Sequence, residues 1–177
     1  LLVVDEAYTD FSDEPSLRWE ACTAPNIVVL QTLSKAWGMA ALRLGLCFAT
    51  ERVIGLMSSV KYPYNINAAA QKLALEQLER DITGEVSEIR SERVRLAGIL
   101  PEFGFVRRVY RSDANFILVK GDDPDGLYAH LLEDGIIVRN RNKVRGCAGC
   151  LRITVGLKAE NEKLIESLKR YEKGRIC

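Results

Sequence analysis

The sequence predicts an α/β protein, and three observations carry that expectation. Short, unbroken apolar runs, Leu1-Leu2-Val3-Val4 and Ile27-Val28-Val29-Leu30, end abruptly in polar residues, as buried parallel strands do. Segments of three-and-four periodicity follow them, from Ala68, from Val86 and from Lys158. Hydrophobic residues make up 47% and charged ones 28%, enough for a core and unlike a disordered chain. A formal net charge of +1 gives no reason to expect a nucleic-acid or membrane surface.

In chain order, Leu1 to Val4 reads as a strand ending in Asp5, Glu6 and Tyr8. An acid directly after such a run is either a helix cap or functional. A polar loop from Thr9 to Pro25 follows, with Pro15 and Pro25 as breakers and Trp19 as a packing anchor. Asn26 to Gln31 is the second strand and Arg43 to Ala49 the third. About seven residues separate Lys35 from Arg43, too few for a helical crossover, so the third strand is expected to be antiparallel. Glu51 to Ser59 is a short helix, and Lys61 to Asn67, with Pro63, is irregular.

Ala68 to about Arg80 is helical, Gly84 interrupts, and a second amphipathic helix runs from Val86 to Leu100. Phe105–Tyr110 and Asn115–Val119 are strands. Pro124-Asp125-Gly126 opens a helix through Leu132. Ile136–Val138 is a short strand ending at Arg139, and Leu151–Val155 is another. Lys158–Tyr171 is the last helix, stopped by Gly174. The domain boundary is placed at residues 83/84.

Five cysteines, Cys22, Cys47, Cys147, Cys150 and Cys177, without a secretory signal suggest reduced thiols in the cytoplasm. Cys147-Ala148-Gly149-Cys150 has metal or redox spacing, but no second pair accompanies it, so it reads as a chance pair. The chain opens inside an apolar strand with no lead-in, and is read as the C-terminal half of a longer protein.

The chemistry concentrates after the second strand. Thr32-Leu33-Ser34-Lys35-Ala36-Trp37 puts a lysine just past a buried strand end, where α/β proteins keep their sites. Between Leu33 and Trp37 that lysine is expected to be desolvated and its amine pKa lowered, as imine formation with an aldehyde requires. Thr32, Ser34 and Arg43 add hydroxyls and a fixed cation, a set that suits a phosphate ester.

With Val4-Asp5-Glu6-Ala7-Tyr8, Leu42-Arg43-Leu44-Gly45, Tyr62-Pro63-Tyr64-Asn65-Ile66-Asn67 and Leu151-Arg152-Ile153-Thr154-Val155-Gly156, these residues resemble the fold-type I, pyridoxal-phosphate (PLP) aminotransferases, and within them the histidinol-phosphate branch. The resemblance implies the end of a large, mostly parallel-sheet cofactor domain over residues 1–83 and a small α/β domain over 84–177. It implies that Lys35 holds pyridoxal 5'-phosphate and serves as general base, and that Asp5 faces the pyridine nitrogen. Tyr8 would lie by the ring hydroxyl, with Thr32 or Ser34 and Arg43 on the cofactor phosphate. Arg152 and Arg139 would meet the substrate's anionic end, with Asn115 and Tyr64 bordering the site. For Arg139 a surface cation, for Asn115 a strand-start cap, and for Asn65 and Asn67 a turn role stay open. The implied substrates are L-histidinol phosphate and 2-oxoglutarate, in histidine biosynthesis and in a cytoplasmic homodimer. Another aminotransferase, a threonine-phosphate decarboxylase and a PLP-binding regulatory domain without turnover are the alternatives. The same resemblance leaves the phosphate cradle and the ring-stacking aromatic unaccounted for in these residues.

Overall fold

A computed structural model describes residues 1–176, so Cys177 lies outside the described residues. The chain divides into two compact units, Leu1–Val86 and Ser87 onward. Among the described residues no helix is long and apolar enough to cross a membrane.

The first unit holds a three-stranded sheet in the order β1-β2-β3, with β1 Leu2–Asp5, β2 Ile27–Thr32 and β3 Gly45–Phe48. β1 and β2 are parallel and β3 is antiparallel to β2, as the short connection requires. Val28 and Val29 of β2 are buried, together with Phe11 and Ala21. The stretch from Thr9 to Pro25 is not simply a loop. It contains a 3₁₀ turn, Thr9–Phe11, and a helix, α1 Arg18–Thr23. Six residues between two prolines are too few for an apolar period to show. Trp19 is not an anchor: it is 71% exposed, because Ala21, on another side of this short helix, is the residue turned inward.

α2 (Glu51–Val60) and α3 (Ala68–Leu78) flank an irregular segment, 61–67. Asn67 caps α3 by accepting from Ala70 N–H at 2.8 Å. Asn65 accepts from Lys61 Nζ at 3.0 Å. The helical break falls at residues 79–82, before Gly84. Asp81 accepts from Thr83 N–H, and Gly84 sits in the first turn of α4 (Thr83–Ile99). First-turn N–H groups have no intrahelical partner, so a glycine costs little there.

The second unit is a four-stranded antiparallel sheet, in the order β4-β5-β7-β6, packed against helices. Its strands are β4 Val106–Val109, β5 Phe116–Gly121, β6 Arg139–Asn140 and β7 Cys150–Thr154. Its helices besides the body of α4 are α5 Pro124–Glu133 and α6 Lys158–Ile176. One face contributes Ile117, Val119, Leu151 and Ile153 to a core with Leu96, Leu127, Leu131, Leu164 and Leu168.

Ile136–Val138 is not a strand. Gly135, at φ +74°, ends α5 with Ile136 N–H bonded to Leu131 O and Gly135 N–H to Leu132 O, a paired cap that holds Ile136 to the helix end. The ladder therefore begins only at Arg139. Gly174 does not stop α6, which runs through it. Glu172 accepts from Gly104 N–H at 2.6 Å and ties that last turn down, against a glycine cost of about 1 kcal/mol.

Candidate active site

In the first unit the site begins where β2 ends. Thr32 Oγ1 lies 2.9 Å from Ser34 Oγ and 3.1 Å from the Leu44 carbonyl oxygen, and accepts from Ser34 N–H at 3.1 Å. A hydroxyl has one proton and a carbonyl can only accept, so the Thr32 proton is committed to Leu44 when that bond is made. Ser34 keeps the more available hydroxyl.

Leu33 turns inward to a small core with Met39, Leu44 and Ala74, against which Trp37 and Leu42 pack. Lys35 points the other way and is exposed. The expected desolvation by Leu33 and Trp37 is therefore not found, because both are occupied with the core behind the turn. What Lys35 does meet is Tyr8: its Nζ lies 5.3 Å from the centre of that ring, within range of a cation–π contact. Asp5 ends β1 opposite Leu30, and its Oδ1 accepts from Ala7 N–H at 3.0 Å, which orients the carboxylate in its own turn.

Arg43 has a left-handed backbone, φ 57°, and is the non-glycine residue with positive φ among those described. Its Nη1 donates to the Ala40 carbonyl at 3.2 Å. This conformation costs on the order of 1 kcal/mol. Tyr64 projects from the segment 61–67 and is 86% exposed.

Glu6 was not singled out by sequence reasoning. Its carboxylate accepts from Ser16 Oγ at 2.6 Å, Leu17 N–H at 2.8 Å and Gln31 Nε2 at 2.8 Å. Burial works to raise its pKa, but these three bonds, with Arg18 nearby, hold it below the usual carboxylate value. Glu6 thus pins the loop before α1 to the end of β2, between Asp5 and Tyr8 in the chain. Its partners lie 10 to 25 residues away, so no local pattern announces it.

In the second unit Arg139 and Arg152 are directly paired across β6 and β7, which puts both side chains on one sheet face, opposite the core. The Arg152 guanidinium carbon lies 4.8 Å from the Phe116 ring centre. Its Nε is buried and has no hydrogen-bond partner among the described residues. A buried guanidinium donor left open beside a second arginine is a site that an anion would complete. Asn115 is half-buried, and its carbonyl accepts from Val155 N–H at 2.9 Å. The structure thus brings together Lys35 with Tyr8, Thr32 with Ser34, and Arg139 with Arg152.

Comparison with known proteins shows where nearly the whole chain finds relatives. The chain is 50% identical over 174 residues to a histidinol-phosphate aminotransferase of Parabacteroides distasonis, covering 97% of this chain and 50% of that protein. It is 47% identical to the Bacteroides fragilis protein of the same name, with the same two coverages. The chain spans about half the length of the curated relatives it matches. Among solved structures, the histidinol-phosphate aminotransferase of Clostridium acetobutylicum superposes with a TM-score of 0.89 at 25% identity, over 97% of this chain and 54% of that one. The Sinorhizobium meliloti enzyme of that name, solved with pyridoxal-5'-phosphate, gives 0.82 at 26% identity, over 98% and 49%. The fold is that of the fold-type I aminotransferases. The family model for aminotransferase class I and II matches residues 1–168, and the chain belongs to that family.

Proposed function

We propose that the chain carries the lysine-bearing part of a PLP-dependent aminotransferase of the histidinol-phosphate type. The reaction is L-histidinol phosphate plus 2-oxoglutarate to imidazole-acetol phosphate plus L-glutamate, in a cytoplasmic homodimer serving histidine biosynthesis. The observation that carries the reading is Lys35, held on the turn after β2 with its amine over the Tyr8 ring. The names of the relatives, at up to 50% identity, support the substrate.

The residues fit the cofactor. Lys35 would hold it, Asp5 would face its pyridine nitrogen, Tyr8 its ring hydroxyl, and Ser34, Thr32 and Arg43 its phosphate. When bound, PLP supplies an electron sink for the substrate α-carbon. The rest is work for this chain's own groups. The Lys35 amine takes the proton from the substrate α-carbon and returns one later as its conjugate acid. Arg152, whose Nε is buried and open, binds the anionic end of the substrate, and Arg139 adds the second guanidinium that a phosphate needs. Asn115 and Tyr64 border the substrate. In this reading residues 1–83 are the C-terminal portion of the large cofactor domain and 84–177 the small C-terminal α/β domain.

Borohydride reduction of the full-length protein with PLP, followed by peptide mapping, tests it. The pyridoxyl group is expected on Lys35. A label on another lysine, or none at cofactor saturation, removes Lys35 from the role.

A further inference from the structure

We propose that Cys147 and Cys150 are a modification site, a thiol pair that closes to a reversible disulfide when the protein meets a peroxide. The hairpin between β6 and β7 ends in a tight turn in which Cys150 N–H donates to the Cys147 carbonyl at 2.9 Å. Gly149, third in that turn, has φ +82°, the left-handed residue a type II turn demands there. A hydrogen-bonded turn brings its first and fourth Cα atoms within about 7 Å, and disulfides span about 4.4–6.8 Å. The turn is braced: Asn142 Oδ1 accepts from Gly149 N–H, and Gly121 N–H donates to the Gly149 carbonyl, both at 2.9 Å.

The side chains suit the two roles a disulfide needs. Cys147 is partly exposed and can meet an oxidant. Cys150 is buried at 1% exposure, and its Sγ bends back over the turn to 3.8 Å from the Ala148 carbonyl oxygen. Burial pushes its thiol pKa up, and the neighbouring Cys147 sulfur adds to that, while Lys120 and Tyr110 oppose it. Burial keeps Cys150 from the oxidant, and its place at the end of the turn suits it to resolve an oxidised Cys147. A metal is a poorer occupant, because no third His, Cys, Asp or Glu joins the pair among the described residues.

The chemistry balances with one peroxide. The Cys147 sulfur attacks a peroxide oxygen, the O–O bond breaks, and a sulfenic acid and one water form. The Cys150 sulfur then attacks the Cys147 sulfur, the S–O bond breaks, and a second water leaves. Cys150 opens β7 two residues before Arg152, so the crosslink would tie thiol state to the strand bearing the anion site. That consequence rests on the reading above; the crosslink does not.

Trypsin cuts after Arg145 and Arg152, so one peptide, Gly146 to Arg152, carries both sulfurs. After hydrogen peroxide and alkylation without reduction, that peptide should be unalkylated and lighter by two hydrogens. Dithiothreitol should restore alkylation at both positions. In Cys150→Ser, Cys147 should instead accumulate as a sulfenic acid trapped by dimedone. A dimedone adduct at Cys147 in the unsubstituted protein with Cys150 still alkylatable, a bond from Cys147 to Cys22 or Cys47, or no oxidation of Cys147 at all would each overturn the proposal. None of these readouts depends on transaminase activity.

Discussion

Arg139 and Arg152 stand opposite one another in the β6–β7 ladder, two guanidinium groups on one sheet face. Like charges so placed repel by a few tenths to about 1 kcal/mol, and among the described residues the buried Arg152 Nε has no partner to offset that. The arrangement costs stability until an anion arrives. Arg152→Met should therefore leave the second unit as stable or up to about 1 kcal/mol more stable, while removing anion binding. Inorganic phosphate should raise the unfolding temperature of the parent chain and not that of the variant, in a calorimetric titration. Equal phosphate stabilisation of both would show that the pair is not the anion site. In full-length protein, Arg152→Lys should lose on the order of 10-fold in kcat/KM, about 1.4 kcal/mol, because lysine keeps the charge and loses the fork. Arg139→Ala should cost phosphorylated substrates more than histidinol.

Arg43 offers a second separation of stability from binding. Its left-handed backbone suits glycine, so Arg43→Gly should relieve about 1 kcal/mol of strain. The same change deletes the cation assigned to the cofactor phosphate. Denaturation followed by tryptophan emission reads the first unit alone, since Trp19 and Trp37 both lie in it. The expected outcome is a raised midpoint together with at least about a tenfold weaker hold on PLP in full-length protein. A variant that is less stable, or that binds PLP as before, would contradict this account of Arg43.

How legible this was in the sequence depended on how local each cause is. β2 and β3 showed as apolar runs, and their antiparallel pairing followed from the short link between Lys35 and Arg43. The apolar run Ile136–Val138 looked like a strand, but a cap made through Gly135 to Leu131 decides it, and that bond crosses five residues. The exposure of Lys35 was hidden for a similar reason. Leu33 and Trp37 flank it in sequence but are drawn to Met39, Leu44 and Ala74. Register was not readable at all: nothing in the chain says that Arg139 faces Arg152, or that Glu6 reaches Ser16 and Gln31. Residue types chosen for chemistry are visible one by one; their juxtaposition is set by pairing and packing at long range.

Glu6 gives a pH dependence whose sign is fixed by its partners. Its carboxyl titrates below the ordinary glutamate value because Ser16, Leu17 and Gln31 hydrogen-bond the ionised form against a burial penalty. A depressed carboxyl stabilises the fold above the unfolded-state pKa, and that contribution is lost as pH falls through the folded-state value. Glu6→Ala should then cost the first unit about 1–2 kcal/mol at pH 7, at the low end because the group is only partly buried. The gap between parent and variant should close as the pH drops below about 4. Tryptophan-monitored urea unfolding across pH measures it, and a gap that persists unchanged at low pH would show that the carboxylate's charge is not what holds the loop.

The last prediction concerns the chain by itself, which should show no appreciable transaminase turnover. Lys35, Asp5 and Arg43 are all exposed, whereas proton transfer at a substrate α-carbon needs a site from which water is excluded. The phosphate would find the Ser34 hydroxyl and Arg43, but Arg43 already donates to Ala40 and Thr32 is engaged with Leu44. A cofactor held by so few groups would be bound weakly and oriented poorly, and orientation is worth several kcal/mol of barrier. The sheet of the first unit also leaves Leu2 at 54% and Val3 at 53% exposure, one on each face of β1. An open apolar edge strand favours association, so sedimentation should show concentration-dependent oligomers that disperse when Val3→Lys is introduced. The activity assay supplies PLP, glutamate and imidazole-acetol phosphate to the purified chain and measures 2-oxoglutarate release beside a full-length relative. Turnover within about tenfold of that relative would mean that Lys35 needs no cover beyond these residues, and that the account of a solvent-open, incomplete pocket is wrong.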